Sequence, residues 1–257
     1  MHENQTTGRT SEDTDALIAL LDIADDTPGA SELRGHSYDL LGIAPDTAVV
    51  DVGCGSGRAA AEMAERGARA VGIDPDERMI TVACRRWPAA DFRVADAYEL
   101  PFADGALHGY RADKVYHVLD DPARAVGEAR RVLAPGGRLV LIGQDWDTFV
   151  IDADDAALTR TIVHARADLV PAPRVVRRSR NLLLDAGFAD VTVEAHTWIF
   201  TDAAMVPVLA DLAEKAHSAG AISDAQADAW LAEQRDRGRR GQLFLALPLF
   251  VTAATRR

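Results

Sequence analysis

The stretch Ala48-Val49-Val50-Asp51-Val52-Gly53-Cys54-Gly55-Ser56-Gly57 decides how this chain folds. A β-branched run carrying one acidic residue ends in a turn with glycine at alternate positions. The residues that follow, Arg58 to Arg66, are rich in Ala, Glu and Met, which favour helix. Strand, glycine turn and helix in that order bring bare backbone up to a nucleotide-like ligand at a helix N-terminus. The next apolar run, Ala70-Val71-Gly72-Ile73, ends in Asp74. This carboxylate lies about twenty residues beyond the first glycines, a spacing that suits the hydroxyls of a ribose. It also suits an N-cap for the helix that Pro75 and Glu77 announce.

Outward from this point the chain alternates. Strands are expected at Ala48–Val52, Ala68–Ile73, Asp91–Ala95, Leu107–Ala112 and Arg138–Ile142, with helices at Arg58–Arg66, Glu77–Arg85 and Ala123–Val132. Short apolar strands alternating with helices predict an α/β fold, a parallel sheet covered on both faces. Upstream, residues 1–45 read as a polar tail and two cap helices, Asp13–Ala24 and Ser31–Leu41, separated by the breaker Thr27-Pro28-Gly29. Arg34, Tyr38 and Leu41 share one face of the second by helical spacing. Downstream, helices are expected at Asp152–Leu169, Arg174–Asp185, Ala203–Ala219 and Ser223–Arg237, with strands at Val191–Phe200 and Leu243–Thr255. Pro248 inside the last strand calls for an edge, a bulge or a break. The segment at about 201–240 exceeds an ordinary connection. Its apolar residues, including Met205, Val208, Leu209, Leu212, Trp230 and Leu231, fit either a lid over a pocket or a dimer interface. Residues 46–257 are thus read as one domain.

Composition narrows the function. A chain of 257 residues with net charge -12 is a poor match for a phosphate backbone, so no nucleic-acid partner is expected. The clusters Arg174, Arg177, Arg178, Arg180 and Arg235, Arg237, Arg239, Arg240 read as solvated helix faces. No apolar run has membrane-spanning length, and Met1 to Asp15 is polar, so a cytoplasmic setting without membrane contact is expected. The two cysteines, Cys54 and Cys84, have no metal-ligand spacing. His164, His196 and His217 share none either, so no metal site is expected.

Four stretches together, VVDVGCGSG, GIDPDERM, VADAYELPFADGALHGY and ARRVLAPGGRLVLIG, resemble the class I S-adenosylmethionine-dependent methyltransferases, in particular the group that acts on small molecules and quinones. The resemblance covers about residues 48–143. The Gly-x-Gly-x-x-Gly of nicotinamide enzymes is not met, because Arg58 stands where its third glycine belongs. The resemblance implies a Rossmann-like seven-stranded sheet in the order 3-2-1-4-5-7-6, its last strand antiparallel. It implies S-adenosylmethionine as cofactor, with Gly53, Cys54, Gly55 and Gly57 along the methionine part and Asp74 with Pro75 at the ribose. It also implies that Asp96 and Ala97 meet the adenine and that Arg111 and Ala112 lie beside the amino-acid end; Met79 fits either a place on the ribose and adenine or one in the core.

A sulfonium is already activated, so alignment of the acceptor and exclusion of water are the main demands on the protein. Candidates for a base are His117, after the fourth strand, and Asp145, after the fifth. Tyr38, Tyr116 and Trp146 are the candidate acceptor contacts, for a small, partly apolar molecule such as a natural-product intermediate or a quinone-like ring. Two alternatives stay open: the cofactor used structurally in a cyclisation, and a non-catalytic partner subunit.

Overall fold

The computed structural model describes residues 28–257; the expected helix Asp13–Ala24 lies outside them. The order is α1 (Pro28–Leu41), β1 (Ala48–Val52), α2 (Arg58–Glu65), β2 (Arg69–Asp74), α3 (Glu77–Arg86), β3 (Asp91–Val94), β4 (Leu107–Asp113) and α4 (Pro122–Val132). Then come β5 (Leu133–Gln144), β6 (Val150–Ile151), α5 (Ala156–Asp168), α6 (Ser179–Asp185), β7 (Phe188–Phe200), α7 (Val206–Ser218), α8 (Asp224–Arg239) and β8 (Leu245–Arg256). The sheet runs β3-β2-β1-β4-β5-β8, with β7 on the outer edge of β8. Strands β1 to β5 are mutually parallel and β8 is antiparallel to β5. That is the expected order with one addition, the two-residue β6.

Pro248 explains the addition. On one edge of β8 the ladder to β5 stops at Gln144↔Leu249 and resumes with β6 at Val150↔Ala246. On the other edge, β7 pairs with β8 from Arg256 to Leu245 without a gap at Thr197↔Pro248. A proline has no N–H to give, so the ladder breaks on one side only.

Several boundaries differ from the sequence reading, and two of them have a plain local cause. Helix α1 begins at Pro28 rather than Ser31; a proline in the first turn has a helical φ and loses no hydrogen bond there, so it starts the helix instead of breaking it. The expected helix Arg174–Asp185 is a 3₁₀ turn, Val175–Arg177, followed by α6, with Arg178 (φ -104°, ψ -12°) at the step.

Alternation along β5 supplies both faces of the core. Val140 and Ile142 join the layer beneath α1, α2, α5 and α7, whereas Leu139 and Leu141 join the layer beneath α4 and α6. Successive side chains on a strand point to opposite faces, so four consecutive apolar residues mean cover on both sides. The apolar face of segment 201–240 is covered by the chain itself. Leu209, Leu212 and Trp230 are buried, and Trp230 donates through Nε1 to Thr159 Oγ1 of α5 at 3.0 Å.

Across the sheet interior runs a chain of charges. Asp51 and Arg111 are register partners on β1 and β4. Arg111 donates to Asp51 Oδ1 at 2.9 Å, to Asp113 Oδ2 at 2.9 Å and to Ser37 Oγ of α1 at 3.0 Å. Lys114 completes the set, donating to Asp113 Oδ1 at 2.8 Å. Two cations and two anions leave no net charge. Burial alone raises the Asp51 carboxyl, and the Arg111 guanidinium opposes it. Burial disfavours charge on Arg111 too, but Asp51 and Asp113 outweigh that and hold it protonated. Above the network, Tyr38 donates to Glu62 Oε2 at 2.8 Å, and Arg34 pairs with the same carboxylate at 3.1 and 3.2 Å. This is how α1 is anchored to α2 and to the sheet.

Removing one partner of a buried ion pair leaves the other uncompensated, at a cost of about 3–5 kcal/mol. Arg111→Met is expected to lower stability by that amount in chemical denaturation, and the double variant Asp51→Asn/Arg111→Met to recover part of it. Equal stability of Arg111→Met and the parent would show that the pair does not organise the fold.

Candidate active site

The glycine turn crosses from β1 to α2 at the carboxyl edge of the sheet. Gly53 and Gly57 have φ of 68° and 89°, conformations that side chains rarely adopt. A Cβ on Gly53 would lie 2.3 Å from Val115 Cγ2, and one on Gly57 would lie 2.6 Å from the Phe92 ring. Both positions therefore demand glycine for packing within the protein. Gly57 caps α2 with no side-chain hydrogen bond, so the first N–H groups of that helix are not taken up by a capping side chain. Cys54 donates its backbone N–H to Ile73 O at 2.9 Å, tying the turn to β2; burial pushes its thiol far up, which makes it unreactive.

Asp74 is not the cap of α3. That role belongs to Asp76, whose Oδ1 accepts from Arg78 N at 2.9 Å. Asp74 instead accepts from Gly55 N at 3.0 Å and from Asp76 N at 3.0 Å, which holds its carboxylate against the glycine turn. Pro75 is exposed, and Met79, four residues further on, is buried. Asp96 is exposed, its Oδ1 turned back to Tyr98 N at 2.8 Å, with the buried Ala97 next to it. The carboxyl ends of β1, β2 and β3 thus bring the glycines, Asp74, Asp96 and Ala97 along one edge of the sheet.

Several candidates from the sequence are occupied elsewhere. The Arg111 guanidinium is committed to Ser37, Asp51 and Asp113, and Ala112 is buried in the core, so neither side chain is offered to a ligand. Tyr38 is fully buried on Glu62. Tyr116 is buried with its hydroxyl 3.1 Å from that of Tyr110. Asp145 accepts from Arg177 Nε and, at 2.9 Å, from Arg177 Nη2, and its Oδ1 also takes Asp147 N at 3.1 Å. A carboxylate so engaged is a scaffold for the loop rather than a free base. Arg174 and Arg177, expected as a solvated face, hold Asp145 and Asp147 in this way. Spacing within the sequence does not show these partners, which lie 27 to 32 residues away.

His117 and Trp146 are brought together. Their ring centroids are 5.3 Å apart, Phe149 stacks on Trp146 at 5.6 Å, and the Arg166 guanidinium lies 4.5 Å from the Trp146 ring. The loop at Pro171-Ala172-Pro173 clamps both, since Ala172 N donates to His117 O at 2.9 Å and Trp146 N donates to Pro173 O at 3.1 Å. Burial, helped by the charges of Lys114 and Arg166, lowers the His117 pKa to about 4, so its ring is neutral at physiological pH. His117 Nδ1, Gln144 Oε1 and Trp146 Nε1 are buried with no hydrogen-bond partner among the described residues. Gln144 was not singled out from the sequence; its place as the last residue of β5 was the available signal. His117 and Gln144 also border a small crevice with Val176 and Ser179, and Phe149 lines a second cleft of about 220 Å³ with Val150, Ile151, Val163 and His164. Among the described residues no helix is long and apolar enough to cross a membrane.

Comparison with known proteins bears on the family and the fold. Residues 50–141 match the family model described as a methyltransferase domain. An uncharacterized 37.1 kDa protein in transposon TN4556 of Streptomyces fradiae is 34% identical over 247 residues, 92% of this chain and 70% of that one. A demethylmenaquinone methyltransferase of Renibacterium salmoninarum is 34% identical over 111 residues, 43% of this chain. That match spans 47%, about half, of the relative's length. Among solved structures, the YcgJ protein of Bacillus subtilis superposes with a TM-score of 0.60 at 17% identity, over 87% of this chain and 97% of the other. With the sheet order, the glycine turn and the placement of Asp74, these likenesses lead to one conclusion: the chain belongs to the class I S-adenosylmethionine-dependent methyltransferases.

Proposed function

We propose that this chain methylates a small, partly apolar acceptor that carries a hydrogen-bonding group and binds at the carboxyl ends of β4 and β5. One observation carries the reading: His117 Nδ1, Gln144 Oε1 and Trp146 Nε1 are three buried polar atoms in one neighbourhood without partners among the described residues. Buried polar groups left unpaired cost about 1–3 kcal/mol each, and a ligand that pairs them recovers that cost. The stacked rings of Trp146 and Phe149 supply an apolar wall beside them.

The bound cofactor supplies a methyl group already activated as a sulfonium. Gly53 to Gly57 present backbone to it, and Asp74, oriented by Gly55 N and Asp76 N, accepts from the ribose hydroxyls. Asp96 and Ala97 border the adenine. His117, neutral and buried, positions the acceptor through Nδ1; a group with a pKa of about 4 has little strength as a base toward a phenol or an enol. Segment 201–240 has its apolar face on α5 and the core, which supports reading it as a fixed wall on the acceptor side rather than as a surface awaiting a second copy.

Titration calorimetry with S-adenosylmethionine and S-adenosylhomocysteine is expected to give saturable binding of both, weakened about 10–100-fold in Asp74→Asn, because a hydrogen bond to a charged group contributes about 1.5–3 kcal/mol. Unchanged affinity in that variant would remove Asp74 from the site. Acceptor screening by mass shift then tests transfer itself, and cofactor binding with no methylated product from any small apolar acceptor would count against the proposed reaction.

His117 gives a separate check. Its folded pKa of about 4 lies below the unfolded value of about 6.5. The unfolded chain therefore binds more protons between these pH values. The stability this contributes is complete above pH 6.5 and is lost as pH falls toward 4, by about 3 kcal/mol. His117→Gln is expected to lack this component when unfolding free energy is followed from pH 7 to 4.5. Identical pH profiles for variant and parent would mean that the His117 pKa does not change on folding.

A further inference from the structure

His36 of α1, Glu194 of β7 and His196 of β7 form a cluster outside the proposed methyl-transfer site. Glu194 and His196 stand two apart on a strand and so face the same way, together with the buried Trp198 and Phe200. His36 meets them from the cap helix, 158 residues earlier in the chain than Glu194. His36 Nε2 lies 2.6 Å from Glu194 Oε2, and His196 Nε2 lies 3.4 Å from the same oxygen. Both imidazoles therefore aim one nitrogen at a single point. One ligand atom from each of the three residues falls within 4.8 Å of the others. The ring centroids are 5.5 Å apart and tilted by 47°, so the rings do not stack against each other.

We propose that His36, Glu194 and His196 bind one divalent transition-metal ion of the zinc class and that this ion clips α1 to β7. Two imidazoles and one carboxylate are the donor set that zinc and its neighbours prefer, whereas magnesium and calcium take oxygens. Around a tetrahedral ion at about 2.0–2.1 Å, donor atoms stand about 3.3 Å apart, so the His36–Glu194 contact has only to open by a fraction of an ångström. The three side chains are 35%, 39% and 36% exposed, enough for an ion to enter and for water to complete the shell. Lys114, whose ammonium lies 5.5 Å from the Trp198 ring on this side, is already paired with Asp113. The lone residue His196 gave no metal-ligand spacing in the sequence because its histidine partner sits on another element.

The test uses the full chain in a Cys84→Ser background, which removes the exposed thiol, after chelator treatment. Titration with ZnCl₂ by calorimetry and with CoCl₂ by visible absorption is expected to show one ion per chain. No thiolate charge-transfer band should accompany cobalt. At metal 100 times above Kd, the melting temperature should rise by roughly 5–10 °C. His36→Gln and His196→Gln, checked for folding by circular dichroism, should each weaken binding at least roughly 100-fold, beyond what loss of an outer partner typically does. His217→Gln should bind as the parent does. Absence of saturable binding in the parent, or equal binding in the His36→Gln/His196→Gln double variant, would overturn the proposal and leave the cluster as an ion pair.

Discussion

The Asp51–Arg111 pair is the constraint around which the other parts are arranged. An ion pair wholly inside a parallel sheet gains little over apolar residues of the same size, because desolvating two charges offsets their attraction. Its effect lies in what it forbids. Asp51 faces Arg111 in register, and a shift of either strand by one residue would turn a bare charge toward an apolar layer. Ser37 and Asp113 take the remaining donors that Arg111 directs inward, so the same requirement sets the height of α1 over the sheet. The glycine turn begins two residues after Asp51, and Val115, one residue after Lys114, fills the space that a Gly53 side chain would need. A displacement in the charge network would therefore reach the turn within a few residues.

Local features of the sheet and turn were legible because each depends on near neighbours in sequence. The run Val49-Val50-Asp51-Val52, the glycines after it and Asp74 declare strand, turn and strand end without reference to anything distant. Pro248 likewise announced a missing donor, and the ladder breaks there. The errors fall on partners. Periodicity tells which face a residue occupies but not what stands opposite. Arg111 finds Ser37 across 74 residues, Asp145 finds Arg177 across 32, and His36 finds Glu194 across 158. Tyr38 was placed on the inward face of its helix, and it is there, but with Glu62 as its partner rather than a ligand. At Arg178 the helix expected from side-chain pattern gives way to a step that depends on the packing of neighbouring elements.

Electrostatics at the ends of β4 and β5 limit the chemistry proposed there. Burial, with Lys114 and Arg166 nearby, keeps the His117 ring neutral. Arg177 and Asp147 N occupy the Asp145 carboxylate. With the His117 ring a weak base and the Asp145 carboxylate taken up, an acceptor as proposed for this place would need to be nucleophilic as it arrives, through a lone pair or an acidity of its own.

Helix α1 joins these separate arguments. Its inner face carries Ser37 to the Arg111 network and both Arg34 and Tyr38 to Glu62 of α2. Its flank carries His36 to β7. β7 pairs with β8 along one edge, and Trp198 from β7 packs beneath Lys114, which belongs to the network again. These contacts form a closed circuit from β4 through α1 to β7 and back. A bond formed at one point of such a circuit restricts the others, since α1 cannot pivot on a single anchor when it has three. Tightening the His36–Glu194 contact would hold α1 down on the Arg111 side as well, so the orientation of the cap helix over the sheet is fixed by side chains that belong to neither the glycine turn nor the pair of rings at His117.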